Sequence, residues 1–246
     1  MSRSKLLPSG WSVPALFHAR LGDEVGRQRL MASEGHLLLV LHAPPSADED
    51  ERSGRFFWRD TEGMWRASIQ GSGVAAMVDH LSEFEGLLEA LEDRESKATR
   101  AREYFEVLRE LTPLHRAARN LHSVLQKARE AMNEDSRIIR WRDEAYSIER
   151  TAELLLGETR HGLDFVTAMR AEEQAVEAHN MAEAGHRLNV LAALFFPLAT
   201  IASLLGMNVP TGLEDSPAPW TFIGVLVVGG IIGVGLKVAL DAPSKA

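Results

Sequence analysis

Apolar positions are spread unevenly along this chain. Residues 188–205 run for 18 positions without Asp, Glu, Lys or Arg. As a helix they extend about 27 Å, close to the ~30 Å hydrocarbon core of a bilayer. A second run covers 220–236 and resumes after Lys237 through 238–240. Only the 14 residues 206–219 separate the two runs, and these include Pro210, Pro217 and Pro219. The pattern predicts a helical hairpin through a membrane.

Upstream, the pattern changes twice. In 1–72 three short apolar or aromatic segments, 36–42, 55–59 and 64–69, are bounded by turn residues. They predict strands, with Asp60-Thr-Glu-Gly63 as a hairpin connection and Ala15–Arg20 as a fourth strand. From Val74 apolar residues recur at three- and four-residue steps (Met77, Leu81, Phe84, Leu88, Leu91), which predicts antiparallel helices over 73–136, interrupted at Thr112-Pro113. Asn133-Glu-Asp-Ser136 reads as a turn and cap. Beyond it Ile148, Ala152, Leu155, Thr159, Gly162, Val166, Met169 and Val176 keep close to a 3.5-residue spacing. This predicts a stalk of ~50 residues, ~75 Å long, that continues into the first span as one segment, 137–205. Such a seam needs a partner helix, from the same chain or from another copy. The organisation is thus a small α+β domain with a small sheet, a predominantly helical remainder, a loop at 206–219, a second span at 220–240 and a short tail at 241–246.

Charge sets orientation. Arg170, Arg187, Lys237 and Lys245 flank the spans on the side of the termini, while the 206–219 loop has no basic residue and carries Glu214 and Asp215. Basic flanks stay cytoplasmic, so both termini are expected inside and the acidic loop outside a plasma (inner) membrane. The mean hydropathy of -0.13 averages these two environments. A net charge of -8 argues against nucleic acid as a partner and suits cations. There is no cysteine, which removes disulfides, zinc-thiolate sites and thiol catalysis. The first 21 residues, broken by Pro8, Pro14 and His18, do not form a signal-peptide core. No nucleotide loop, His-Glu-x-x-His or Ser-His-Asp grouping appears, so an enzyme is not expected and no cofactor is called for.

Candidate chemistry is sparse before the spans. The acidic loop 43–54 reads as solvated rather than as an ion collector. The pairs His115 with His122 and His179 with His186 are seven residues apart. Histidines that share an ion on one helix sit three or four apart, so these read as surface or packing residues. The first span carries a polar stripe at helical spacing: His186, Asn189, Ala193, Phe196, Thr200 and Ser203. It either lines a pore or bonds between helices. Gly224, Gly229, Gly230, Gly233 and Gly235 allow the second span to approach the first closely.

Phe195-Phe-Pro-Leu-Ala-Thr-Ile-Ala-Ser-Leu-Leu-Gly-Met-Asn208 resembles the end of the first membrane helix of the CorA family of divalent metal ion transporters, which includes magnesium channels and ZntB zinc transporters. The family signature is Gly-Met-Asn after that helix with a Pro eleven residues earlier, matched by Gly206, Met207, Asn208 and Pro197. The resemblance implies a homopentamer in the lipid bilayer with the first spans around a pore. It implies a ring of Asn208 holding hydrated Mg²⁺ at the outer mouth, and Leu188 on the pore face. Phe196 falls where some members carry Met in their gate, and Glu214 and Asp215 would concentrate cations by the mouth. Two polar pore positions are lost, with Ala182 where magnesium channels have Asn and Ala199 where they have Thr. The expected function is passage of a divalent cation, Mg²⁺ first, with Zn²⁺ transport or a non-conducting membrane scaffold as alternatives.

Overall fold

The computed structural model describes residues 6–45, 53–207 and 219–241. The chain forms two units, Met1–Ala168 and Met169–Ala246. In the first, α1 (Ala15–Arg20) precedes four strands, β1 (Arg29–Ser33), β2 (His36–His42), β3 (Gly54–Arg59) and β4 (Trp65–Ala67). Then follow α2 (Gly73–Ser96), α3 (Ala101–Ala131) and α4 (Ser136–Gly206), of which the part to Ala168 belongs to this unit.

The sheet is an antiparallel meander in the order β1-β2-β3-β4. Strand β2 is buried on both faces, which is why it reads as an unbroken apolar run rather than an alternation. Leu37, Leu39 and Leu41 join Phe57 and Trp65 in the core under α2 and α3. Leu38 and Val40, on the opposite face, pack with Phe56, Trp58, Met31 and the N-terminal Trp11, Phe17 and Leu21.

Three expectations change here. Ala15–Arg20 is helical and turns Phe17 into the core, starting directly after Pro14. The fourth strand is instead Arg29–Ser33, paired with β2 from Arg29↔Val40 to Ser33↔His36. Only Met31 of that strand is buried, so its apolar signal is weak. Its hairpin turn is Glu34-Gly35, with φ of 52° and 79°, a pair of left-handed residues suited to the twist of adjacent strands. Glu in that role is an uncommon turn signal. Finally, α3 passes through Pro113 without ending. A helical proline costs about 3 kcal/mol, but Leu111, Leu114, Ala118, Leu121 and Leu125 form one buried stripe across it. At about 1.5–3 kcal/mol per buried leucine, that stripe outweighs the break.

The turn at 133–136 does more than cap a helix. Asp135 accepts the backbone N–H of Arg137, as an N-cap does. Its carboxylate, 3% exposed, also accepts Arg59 Nε from β3 at 3.0 Å, Trp65 Nε1 from β4 at 3.3 Å and Arg137 Nε at 2.9 Å. Arg137 Nη2 donates to Gly63 O in the β3–β4 turn, and Trp65 meets Trp141 of α4 edge-on at 4.9 Å. Burial alone would raise the Asp135 pKa, but the donated hydrogen bonds from Arg137, Arg59 and Trp65 together hold it at about 2. His80 of α2 is a second buried ionisable group. Burial, then the charge of Arg55, lowers its pKa to about 3. Its Nδ1 accepts Arg55 Nη1 at 2.9 Å, while Phe57 and Phe84 pack on the ring.

The two groups act in different pH windows. His80, neutral when folded, costs stability as pH falls from 6.5 towards 3, by up to about 1.4 kcal/mol per pH unit. Asp135 stabilises fully above its unfolded value of 3.8, and that contribution is lost as pH falls to about 2. Asp135→Asn is therefore expected to destabilise the first unit by about 3 kcal/mol at neutral pH, since two arginines lose their buried anion. The gap from wild type should close below pH 3.8. Thermal unfolding followed by fluorescence of Trp65 and Trp141 measures both; an unchanged midpoint at pH 7 would show the clamp to be dispensable.

Candidate functional site

The second unit consists of α4 from Met169 onward and α5 (Trp220–Asp241). Both helices are long and apolar enough to cross a membrane. Leu188, Leu191, Phe195, Phe196, Leu204, Phe222, Ile231 and Val238 are all exposed. Apolar surface on this scale is not left to water. Such helices are suited to a bilayer.

Where α4 and α5 meet, glycine does the work. A Cβ on Gly229 would lie 3.1 Å from Leu198 Cδ1, and one on Gly233 would lie 3.1 Å from Leu194 Cα and 3.2 Å from the Ala193 carbonyl oxygen. Gly229 and Gly233 are four residues apart on one face of α5, so small residues let the two backbones touch. Pro197 sharpens the contact. It has no N–H to offer the Ala193 carbonyl four residues earlier, and it is beside this carbonyl that α5 presents Gly233, where a side chain would find no room. A Cβ on Gly224, Gly230 or Gly235 would meet nothing within 4 Å among the described residues, so the glycines divide into those that α4 covers and those it does not.

On α4 the face under α5 is Val190, Ala193, Leu194, Pro197, Leu198 and Ile201, the residues that lose exposure. His186, Leu188, Asn189, Phe196, Thr200 and Ser203 remain exposed and lie to the other sides of the helix. Phe196, at 74% exposure, is not packing against α5 of its own chain. Thr200 Oγ1 donates to Phe196 O at 2.8 Å, which leaves the hydroxyl only acceptor capacity toward its surroundings. Gly206 ends α4 and Met207 follows it, its N–H directed to Leu204 O. Asn208, Glu214 and Asp215 lie outside the described residues.

Two groupings escaped the sequence pattern. One is the division of the glycines, which no periodicity announces because glycine is neither apolar stripe nor polar stripe. The other is an ion-pair chain on the exposed part of α4. His179 Nε2 stands 3.5 Å from Glu183 Oε1, and Glu183 Oε2 accepts Arg187 Nη2 at 3.2 Å. The four-residue steps from 179 to 183 to 187 were its signal.

The sequence model of the family described as CorA-like Mg²⁺ transporter protein matches residues 68–238. The chain belongs to the CorA-like Mg²⁺ transporter family, and it is a membrane protein with that family's divalent cation transporter fold. Among solved structures, the cytoplasmic domain of ZntB from Vibrio parahaemolyticus is similar with a TM-score of 0.53 at 14% identity, over 65% of this chain and 80% of that one. The full-length CmaX protein gives a TM-score of 0.49 at 14% identity over 89% of this chain and 82% of that one. The CorA magnesium transporter from Methanocaldococcus jannaschii gives 0.41 at 16% identity, over 91% and 81%. A comparison with curated proteins finds no match.

The glycine contact yields a direct test. Gly233→Val inserts carbon against the backbone of Leu194, which cannot rotate away. It is expected to cost about 1–3 kcal/mol and to lower the thermal midpoint of the detergent-solubilised protein. Gly224→Ala, with open space in the chain, should leave the midpoint unchanged. Equal behaviour of the two variants would remove the interhelical contact as an organising feature.

Proposed function

We propose that this chain forms a homopentameric channel for divalent cations, with Mg²⁺ as the principal ion and the first span of α4 around the pore. The observation that carries the reading is the division of α4: one face is taken by the glycines of α5, while Leu188, Phe196, Thr200 and Ser203 stay uncovered in the chain. In a ring of copies that second face becomes the lining. Oligomerisation is supported from a second direction, because residues 167–189 of α4 are exposed at every position. Met169, Val176, Met181 and Leu188 are among them. A seam of this kind is stable only against other helices.

The chemistry follows from the ion. Mg²⁺ sheds water reluctantly and prefers oxygen, so it is held through its hydration shell. A ring of Asn208 amide oxygens accepts hydrogen bonds from metal-bound waters, and Glu214 and Asp215 raise the local cation concentration. The pore narrows at Phe196, where a ring of phenyl groups excludes water and leaves an entering ion without ligands. Basic Arg187 and Lys237 on the terminal side of the spans, against an acidic loop, favour both termini in the cytoplasm of a plasma-membrane protein.

Reconstitution into liposomes tests the reading, with particle mass in detergent as its companion. Wild type is expected to be pentameric and to pass Mg²⁺. Asn208→Ala, assembled equally, should lose roughly tenfold or more in flux, since each missing amide hydrogen bond contributes about 1 kcal/mol. A monomer removes the pore. A correctly assembled pentamer without flux would assign the chain to the scaffold class instead.

Phe196 has its own signature. Phe196→Ala should raise basal ion leak severalfold while the fold of each chain persists, because this ring stands exposed among the described residues. Leak and thermal midpoint measured on the same variant decide the matter. A fallen midpoint with unchanged leak would make Phe196 a packing residue between copies.

A further inference from the structure

The exposed ion-pair chain of α4 has a chemistry that Mg²⁺ passage does not use. His179, Glu183 and His186 lie three and four residues apart, so all three project from one face of the helix. Together with Arg187 they rim a shallow depression over Ala182, whose methyl group leaves space between them. Two imidazoles and one carboxylate surround this point of the helix.

Distance adds a second observation. His179 Nε2 and Glu183 Oε1 stand 3.5 Å apart. That is long for a charge-assisted hydrogen bond, which closes to about 2.7–2.9 Å. Two ligands on one tetrahedral zinc ion, with metal–N and metal–O lengths of about 2.0–2.2 Å, are separated by about 3.4 Å. The other carboxylate oxygen is held by Arg187 at 3.2 Å, an outer partner of the sort that fixes a ligating carboxylate. One chain does not complete a site: among the described residues no three ligands converge on a single point. The remaining donors must come from neighbouring helices, and this stretch of α4, exposed at every position, is where the pentamer supplies them.

We propose that His179, Glu183 and His186 of neighbouring copies form a ring that binds a borderline-soft divalent transition ion such as Zn²⁺, separate from the Gly-Met-Asn mouth. The proposal rests on the oligomer put forward above. Imidazole with one carboxylate suits Zn²⁺, whereas Mg²⁺, which demands hard oxygen donors, is not held there. The ring therefore discriminates between two ions of equal charge, and an occupied ring places a cation in the path of Mg²⁺.

The test uses the full-length protein in detergent, with Zn²⁺ alone as the probe and a fluorescent chelator as competitor, in excess Mg²⁺. Wild type is expected to bind Zn²⁺ despite the Mg²⁺. The double variant H179A/H186A should lose roughly tenfold or more in affinity, at least the scale on which an outer-shell partner acts. His161→Ala, exposed on the same helix, should lose none. Alanine favours helix at these exposed positions, so the variants keep their fold. Zn²⁺ should also slow Mg²⁺ flux through wild type in liposomes and not through the double variant. Unchanged Zn²⁺ affinity in a double variant that is pentameric and passes Mg²⁺ overturns the ring and leaves the channel reading intact. A monomeric mass overturns the ring and that reading together, and absent Mg²⁺ flux with His-dependent Zn²⁺ binding keeps the ring and rejects Mg²⁺ as the cargo.

Discussion

A single buried carboxylate organises the first unit. Asp135 caps the start of α4, and the same two oxygens gather donors from β3, from β4 and from Arg137, whose other amine reaches the turn between those strands. Desolvating an anion is expensive, and it is tolerated here only because every approach to the carboxylate is a donor. The consequence is geometric. The start of α4 cannot shift along the sheet without stranding a charge, so the core that α4 shares with α2 and α3 is assembled in one register. Trp141, on α4 just beyond the clamp, is then placed against Trp65.

Much of this was legible in the order of residues. The run His36–His42 coincides with β2, and Asn133-Glu-Asp-Ser136 announced the start of α4. What the pattern concealed has physical reasons. The β1 strand buries only Met31 and turns on Glu34, so neither its alternation nor its turn stands out. Ala15–Arg20 mimics a strand because a helix of six residues shows barely more than one turn of periodicity. At Pro113 a local rule gave way to tertiary packing, since the leucines on either side belong to one core. The Gly-Met-Asn signature, by contrast, is legible as a word, and its meaning depends on Asn208, beyond the described residues.

The apolar seam of α4 changes partner along its length. Ile148, Ala152 and Leu155 are buried in a core shared with α3, and at Gly162 the helix is so close to α3 that a Cβ would stand 2.5 Å from the Tyr104 ring. From residue 167 that cover ends. One repeat thus serves folding first and association afterwards. The residues that follow the change, Glu172 and Glu173 through Arg187, are mostly charged or polar, and polar residues in a helical interface set register and partner at some cost in stability.

The proline of α4 and the close approach of Gly233 to the Ala193–Leu194 backbone bear on how the protein is made. During synthesis the first span emerges before α5 exists, carrying at Ala193 a carbonyl whose helical donor Pro197 cannot supply. Within hydrocarbon an unanswered carbonyl is costly. Until α5 covers it, this segment is better accommodated next to protein or water than in bare lipid. The hairpin is thereby suited to leave the insertion machinery as a pair, its two arms released into the bilayer together rather than in turn.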